Sequence, residues 1–209
     1  LGKLLSATDP SDWRDVKIYN DHAFIVSEAS NHGLQVFDLN NLLESDEFKI
    51  FNEDFIANDF GNAHNIAINT SSGFAYVLGS ALYKGGPVFY DISIPKQPIF
   101  SGGFSDTSYI HDAQIITYKG EDQNYFEKEI LLGSNSDGGE TNQLIILDVT
   151  EKTNPELIST ISYNYGGYTH QGWIDENHRY FYLGDELDEL RYGNKTRIIT
   201  FDLKDLKNP

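Results

Sequence analysis

Three histidines and one arginine recur in the chain at similar intervals. They are Arg14, His64, His111 and His170, which lie 47 to 59 residues apart. Neutral imidazoles bind Zn, Cu, Fe or Ni, and three protein ligands with one open position is the arrangement that catalytic zinc uses. The alternative is that these side chains form structural hydrogen bonds in a water-filled channel. The spacing alone leaves both interpretations open.

The residue after each of these four positions is polar as well. The second column reads Asp15, Asn65, Asp112 and Gln171. Asp112 follows His111 directly, so it adds an oxygen ligand to the predicted transition-metal site. That site then consists of His64, His111, His170 and Asp112.

A second candidate site is acidic. It contains Asp185, Glu186, Asp188 and Glu189, and its counterparts elsewhere are Glu28 and residues 135–137. Residues 136–140 are a further loop-like acidic segment. Carboxylates in a loop suit Ca²⁺, which takes six to eight oxygen ligands. The Asp-rich loop pattern of an EF-hand is missing. The alternative is an exposed acidic rim with ion pairs, for which the chain offers three nearby partners, Arg179, Arg191 and Arg197.

A repeat of 53 to 57 residues sets the fold. Its clearest marker is an apolar strand that ends in Asp, at Asp38, Asp91, Asp148 and Asp202. The last three copies are followed by a short link ending in Pro, which suits a turn. Four short strands per repeat predict an all-β fold, a β-propeller with four-stranded antiparallel blades. A β-sandwich is the alternative, but it does not repeat its motifs at one period.

The repeat divides a single domain, 1–209, into blade units of about 7–60, 61–106, 107–165 and 166–209. We expect residues 48–51 to be the fourth strand of the first blade, and residues 1–6 to be a fourth strand without its own blade. Residues 1–6 would either close a four-bladed ring or belong to a larger propeller, of which this chain covers about four blades; we favour the larger propeller. The polar segment 119–128 is predicted to be an exposed loop. The repeated Asp residues are predicted to cap turns.

The remaining histidines fall outside the aligned column. His22, His32 and His178 follow or begin predicted turns. We therefore expect all three to lie at the surface.

Composition excludes several classes of protein. The net charge is −17, with 32 acidic against 15 basic residues, which argues against nucleic-acid binding. Cysteine is absent, which excludes disulfides, thiolate metal ligands and a cysteine nucleophile. No apolar run is long enough to span a membrane, and neither a Gly-x-Ser-x-Gly nor a phosphate-binding loop occurs. The sequence therefore favours a protein that is not an enzyme.

Several segments resemble a known family. Residues 11–28, 61–65, 110–114, 169–173 and 183–189 resemble the choice-of-anchor B proteins, which are built from LVIVD-type repeats. The resemblance implies an exported, cell-surface or extracellular β-propeller of bacterial type, and it carries no established activity. Arg14 departs from the histidine pattern. We expect a binding scaffold with a protein or glycan partner; the alternative is a metal-binding protein or a metal-dependent enzyme that uses the histidines.

Overall fold

A computed structural model describes residues 2–43, 47–136 and 141–209, and these residues are almost entirely β-structure. One short helix, α1 (Asp188–Tyr192), and two 3₁₀ segments, Leu39–Leu43 and Leu82–Gly85, interrupt the strands. In chain order the strands are β1 (Gly2–Leu4), β2 (Arg14–Tyr19), β3 (His22–Ser27), β4 (Leu34–Asp38), β5 (Lys49–Phe51), β6 (Phe55–Ala57), β7 (Asn65–Asn69), β8 (Phe74–Leu78), β9 (Val88–Asp91), β10 (Ile99–Gly103), β11 (Ile110–Thr117), β12 (Glu129–Asn135), β13 (Gln143–Asp148), β14 (Glu156–Ser162), β15 (Thr169–Ile174), β16 (Tyr180–Asp185) and β17 (Ile198–Asp202).

Apart from β1 and β5, the strands form up-and-down antiparallel sheets. Blade 1 has the order β2-β3-β4-β6, blade 2 has β7-β8-β9-β10, and blade 3 has β11-β12-β13-β14. Blade 4 contains three strands among the described residues, β15-β16-β17. The predicted β-propeller with antiparallel blades is therefore confirmed.

Short turns with suitable residues make these sheets possible. In blade 1, Asn20 and Asp21 both have positive φ angles (44° and 59°), which a two-residue hairpin requires. The register is then fixed, because Tyr19 pairs with His22. In blade 4 the carboxylate of Asp175 accepts hydrogen bonds from the amides of Arg179 and Tyr180 and so closes the first hairpin.

The repeated Asp residues cap turns, as predicted. In each blade the Asp carboxylate at the end of the third strand accepts a hydrogen bond from the amide two residues later. The four donors are the amides of Asn40 (2.9 Å), Ser93 (2.9 Å), Thr150 (3.1 Å) and Lys204 (3.0 Å). These bonds explain why one short motif marks the end of every third strand.

Neighbouring blades pack face to face through three apolar clusters. Between blades 1 and 2 the cluster includes Phe24, Val36 and Tyr90. Between blades 2 and 3 it includes Tyr76, Phe89, Leu131 and Leu147, and between blades 3 and 4 it includes Ile130, Ile146, Phe181 and Leu203. Each blade must therefore bury one face of its sheet against the next blade.

The fourth strand of blade 1 was predicted wrongly. Residues 49–51 form β5, which pairs in parallel with β1, whereas β6 pairs with β4 and completes the blade. Asp54 favours pairing of residues 55–57, rather than residues 49–51, with β4. Its amide donates to the Val36 carbonyl, and its carboxylate accepts from the amide of Asp38. Because β1 pairs with β5, it is not the fourth strand of blade 4. The structure therefore does not show the closed four-bladed ring in which residues 1–6 would complete the last blade.

Two smaller expectations were also wrong. His22 and His32 are buried rather than at the surface, whereas His178 is half-buried and accepts a hydrogen bond from the amide of Lys119. The segment 119–128 is only partly exposed, because Asp122 and Tyr125 are buried in it. The carboxylate of Asp122 accepts the amide of Leu206 in blade 4, so the loop helps to join blades 3 and 4.

Candidate functional site

The three aligned histidines lie together. His64, His111 and His170 stand near the beginning of the innermost strand of blades 2, 3 and 4, and their rings form a row. The ring centroids are 4.2 Å apart between His64 and His111, and 4.4 Å apart between His111 and His170. The blade repeat produces this row, because it brings equivalent positions of neighbouring blades to the same level.

His111 is the central and most enclosed imidazole. Its Nδ1 lies 2.9 Å from the carbonyl oxygen of His170, so Nδ1 carries the proton and donates. Burial, and to a smaller extent the neighbouring rings of His64 and His170, lower the pKa of His111 to about 4, although the hydrogen bond to the His170 carbonyl acts in the opposite direction. At neutral pH His111 is therefore uncharged, with a lone pair on Nε2.

A carboxylate stands beside each outer histidine. Nδ1 of His64 lies 2.5 Å from Oε1 of Glu28, a charge-assisted hydrogen bond between blades 2 and 1. Nε2 of His170 lies 3.7 Å from Oε2 of Glu186, within ion-pair range but beyond a hydrogen bond. The row thus reads carboxylate, three imidazoles, carboxylate, and it is partly open to solvent at both ends.

Two tyrosines that the sequence analysis missed complete the cluster. Tyr168 meets the His111 ring edge-on at a centroid distance of 5.4 Å, and Tyr109 lies 6.3 Å from His64 and 6.4 Å from His111. Burial raises the pKa of both phenols, and Glu28 raises it further, so both stay protonated. The spacing Tyr-x-His, which occurs at Tyr109 and again at Tyr168, is the signal that would have found them.

The second polar column links blades below this row. Oδ1 of Asp112 accepts hydrogen bonds from the Asn65 side chain (3.1 Å) and from its neighbour's amide (2.8 Å). Oδ2 of Asp15 accepts the amide of Ile66 at 3.2 Å. Burial raises the pKa of Asp112. Asp112 is thus hydrogen-bonded to groups of the protein itself. Gln171, in the same column, is exposed.

Asp185 has a structural role. Oδ1 accepts the amides of Tyr168, Leu187 and Asp188, and Oδ2 accepts the Tyr163 hydroxyl (2.6 Å) and the amide of Gly167. Burial works against ionisation, but these bonds lower the pKa of Asp185 overall. Five donors leave the oxygens of Asp185 little capacity for a cation. Of the two predicted calcium ligands, Asp185 and Glu186, only the exposed Glu186 is therefore available to bind calcium.

The rest of the predicted acidic rim is paired or outside the described residues. Nε of Arg197 lies 2.6 Å from the buried carboxylate of Asp188, and Glu189 accepts the hydroxyl of Thr196. Asp137 and Glu140 lie outside the described residues. Among the residues that are described, no three His, Asp or Glu side chains are arranged so that they could share one metal ion.

A groove of about 630 Å³ continues along the inner strands, past the second polar column. All four inner strands contribute to it, with Lys17 and Ile18 from β2, Ala67 from β7, Gln114 from β11 and Trp173 from β15. The carbonyl oxygen of the Gln114 side chain accepts the amide of Ile174, which joins blades 3 and 4 along the floor. Its lining mixes apolar side chains such as Ile18 and Ile68 with polar ones such as Asn69 and Lys119.

These observations define the class of protein as a β-propeller. Sheets of up-and-down strands pack in chain order, and their inner strands meet at a shared row of side chains. Propellers of this kind present a channel and loops that commonly mediate interactions with other proteins. Within the described residues, no helix is long and apolar enough to cross a membrane.

A solved structure supports the fold. The crystal structure of a protein from Lactobacillus plantarum matches 87% of this chain with a TM-score of 0.52 and 12% sequence identity. The match covers 52% of that protein, so the chain spans about half its length. At this identity the likeness is one of fold alone. No protein-family model and no curated protein matches the chain, so membership of the choice-of-anchor B family stays a prediction.

Proposed function

We propose that this chain is a binding scaffold at the cell surface or outside the cell, and that it recognises a protein or glycan partner at the histidine row. The observation that carries the proposal is the row itself. Three imidazoles and two tyrosines are held by one another, by Glu28 and by the His170 carbonyl. Groups that are already fixed lose little conformational entropy when a partner binds.

The chemistry of the row indicates what a partner must offer. The two tyrosines and three imidazoles present ring edges and polar atoms, which suit stacking against a sugar or a side chain and hydrogen bonding to its polar groups. The carboxylates of Glu28 and Glu186 stand at the two ends, where they favour a cationic group. The resemblance to exported surface propellers supports an extracellular location.

The test of recognition is a binding measurement on the purified chain. A panel of defined glycans and basic peptides is titrated while the imidazole resonances are followed by NMR. We expect a ligand to shift the resonances of His64 and His170, and His170→Ala to weaken its binding at least about tenfold. Glu151→Ala, at an exposed turn of blade 3, is the matched control.

Either of two results would contradict the proposal. Ligand-induced shifts confined to His22, His32 and His178 would place recognition elsewhere. Turnover of a defined substrate that disappears in His170→Ala would make the protein an enzyme. The location is tested separately, by digesting intact cells with a protease and asking whether the protein is cleaved.

A specific observation also favours the alternative, a transition-metal site. Metal-binding histidines usually donate their second ring nitrogen to a carboxylate or a carbonyl group. His64 and His111 both do so through Nδ1, which leaves Nε2 of each ring as a ligand atom. The low pKa of His111 keeps that nitrogen unprotonated at neutral pH.

The alternative is tested by calorimetric titration with Zn²⁺, together with elemental analysis of protein purified without chelators. Binding of one ion that is lost in both His64→Ala and His111→Ala, and kept in Glu151→Ala, would support it. Protein that contains no metal and takes up no zinc would eliminate it.

A further inference from the structure

A buried imidazole lies in the loop between β3 and β4. His32, in this loop of residues 28–33, is 0% exposed. Its Nδ1 lies 3.0 Å from the carbonyl oxygen of Gly33, so Nδ1 carries the proton and donates. The other ring nitrogen, Nε2, is buried and has no hydrogen-bond partner among the described residues. The ring is therefore neutral, and a second proton would leave a charged N–H group buried without an acceptor.

The surroundings of this ring also oppose a positive charge. Burial lowers the pKa of His32 below its ordinary value of 6.5, and the charge of Arg14 on β2 acts in the same direction, whereas the hydrogen bond through Nδ1 acts against both. The carboxylate of Asp59, on the segment that packs against the loop, accepts the hydroxyl of Tyr90 at 2.9 Å. Glu28, on the loop itself, is bonded to the first histidine of the row. Both carboxylates thus already have partners other than His32.

The loop packs tightly against the segment that leads into blade 2. The amide of Gly33 donates to the Gly61 carbonyl at 2.6 Å, and the amide of Ala63 donates to the Ser27 carbonyl at 2.9 Å. Gly33 has a φ angle of +69°, and a Cβ atom there would lie 2.1 Å from the carbonyl oxygen of Ala57, so the close approach requires glycine. A hydrated imidazolium has no room in this packing. Charging the buried imidazole therefore requires the loop to move.

The same loop carries a group that holds the histidine row. Glu28 is its first residue, and Oε1 of Glu28 lies 2.5 Å from Nδ1 of His64. The carbonyl oxygen of Glu28 accepts the side-chain amide of Asn62 at 3.4 Å. His32 belongs to the same turn, because its own amide donates to the carbonyl of Ala29, the residue after Glu28, at 3.2 Å. Movement of the loop therefore withdraws one of the groups that fix the row.

We propose that residues 28–33 are an acid-sensitive latch on the histidine row, in which protonation of His32 opens the loop and releases Glu28 from His64. The inference rests on the proposed function for its consequence, since the latch would regulate partner binding at that row. The closed loop is fully favoured above about pH 6.5, the ordinary pKa of a histidine, and is lost as the pH falls. Opening takes up one proton. The open fraction therefore rises by up to about tenfold for each pH unit below 6.5, until the closed form itself is protonated.

The test is amide hydrogen exchange followed by NMR between about pH 7.5 and about pH 5, with no ligand present. After correction for the intrinsic exchange rate, the opening constant at the Gly33 amide should rise at least about tenfold over this range. Amides of β12, which is buried along its whole length, report global unfolding and should stay better protected at every pH. His32→Asn cannot take up the proton and should remove the pH dependence at Gly33. His178→Asn, which removes a histidine from blade 4, is the matched control and should keep it.

The unmodified chain decides the matter by itself if His32→Asn does not fold. The His32 ring should then titrate together with the opening at Gly33, and the hydrogen-bonded Nδ1 proton of His64 should exchange faster over the same pH range. A His32 ring that titrates while Gly33 stays protected would overturn the proposal, as would exchange at Gly33 that follows β12 at every pH.

The proposed function and the latch fail separately, because the exchange measurement uses no ligand. A loop that opens as expected in a chain that binds no glycan or basic peptide would contradict the proposed function and leave the latch standing. A row that binds such a ligand while Gly33 stays protected at pH 5 would contradict the latch alone.

Discussion

At the scale of the residue, Asp185 shows how a carboxylate that looks like a cation ligand can be structural. It stands in an acidic stretch, and acidic stretches often bind calcium. Its two oxygens instead accept five donors that hold the loop before β15 and the start of α1. The role of such a side chain is decided by which donors surround it.

We expect Asp185→Asn to lower the free energy of unfolding by about 3 kcal/mol, because the charged acceptor is lost and its donors remain. The loss should be equal with calcium and with a chelator, as measured by urea denaturation. Glu186→Gln is the control and should cost less than about 0.5 kcal/mol. If the cost of Asp185→Asn appeared only with calcium present, a calcium site would be the better explanation.

His111 should make stability depend on pH. Its pKa is about 4 in the folded chain against 6.5 for an unperturbed histidine, since burial disfavours the charged ring. The unfolded chain therefore takes up a proton first, and this contribution to stability is complete above pH 6.5 and is lost as the pH falls towards 4. Between about pH 7 and pH 5 the loss is about 2 kcal/mol.

NMR titration of the imidazole resonances measures this directly. The resonance of His111 should move only below pH 5, and His111→Gln should remove about 2 kcal/mol of the loss of stability between pH 7 and pH 5. A midpoint for His111 at or above 6.5 would show that the ring is hydrated or charged in the folded protein, contrary to the geometry.

At the scale of the element, blades are joined by buried polar groups as well as by apolar packing. Glu129, at the start of β12 in blade 3, accepts the Asn69 side chain at 2.7 Å and the Ser72 hydroxyl at 2.6 Å, both from blade 2. Its other oxygen lies 2.7 Å from Nζ of Lys152. The ion pair is almost completely removed from solvent, so its geometry fixes how the two blades meet.

Glu129→Ala should lower the free energy of unfolding by about 3–5 kcal/mol, because it leaves the Lys152 ammonium buried without its partner. Glu129→Leu combined with Lys152→Met should cost much less, since neither charge then remains. Urea denaturation of both variants checks the difference. Equal costs for the two variants would mean that the pair contributes only packing.

At the scale of the whole molecule, charge opposes folding. The chain carries 32 acidic and 15 basic residues, and a net charge far from zero destabilises a compact state through repulsion. Ion pairs such as Lys96 with Asp38 and Arg179 with Asp202 offset part of this locally. The repulsion extends over the whole surface, whereas these pairs are few.

We therefore expect the melting temperature to rise when NaCl is increased from about 0.02 M to about 0.5 M, because salt screens exposed charges at separations beyond a few ångströms. The measurement is made at one protein concentration, with an equal osmolality of sucrose as the control. A melting temperature that falls with salt would show that the local ion pairs outweigh the repulsion.

Much of the fold was predictable from the sequence, since it depends on local chemistry that repeats. The Asp that ends each third strand, the turn residues and the apolar runs each act within a few neighbours, and repetition makes them visible. The error at β5 and β6 has a physical reason too. Both runs are short and apolar, and the choice between them depends on Asp54, which contacts residues 16 to 18 positions earlier.

The sequence by itself determined the blade repeat, the capping Asp residues and the alignment of His64, His111 and His170, because each follows from residue types at regular spacing. Only the tertiary structure decided how those histidines are held, that Tyr109 and Tyr168 lie beside them, and that Asp185 is structural. It also decided that β1 pairs with β5. These features depend on which blades meet, and contacts between distant parts of a chain leave no local pattern in its sequence.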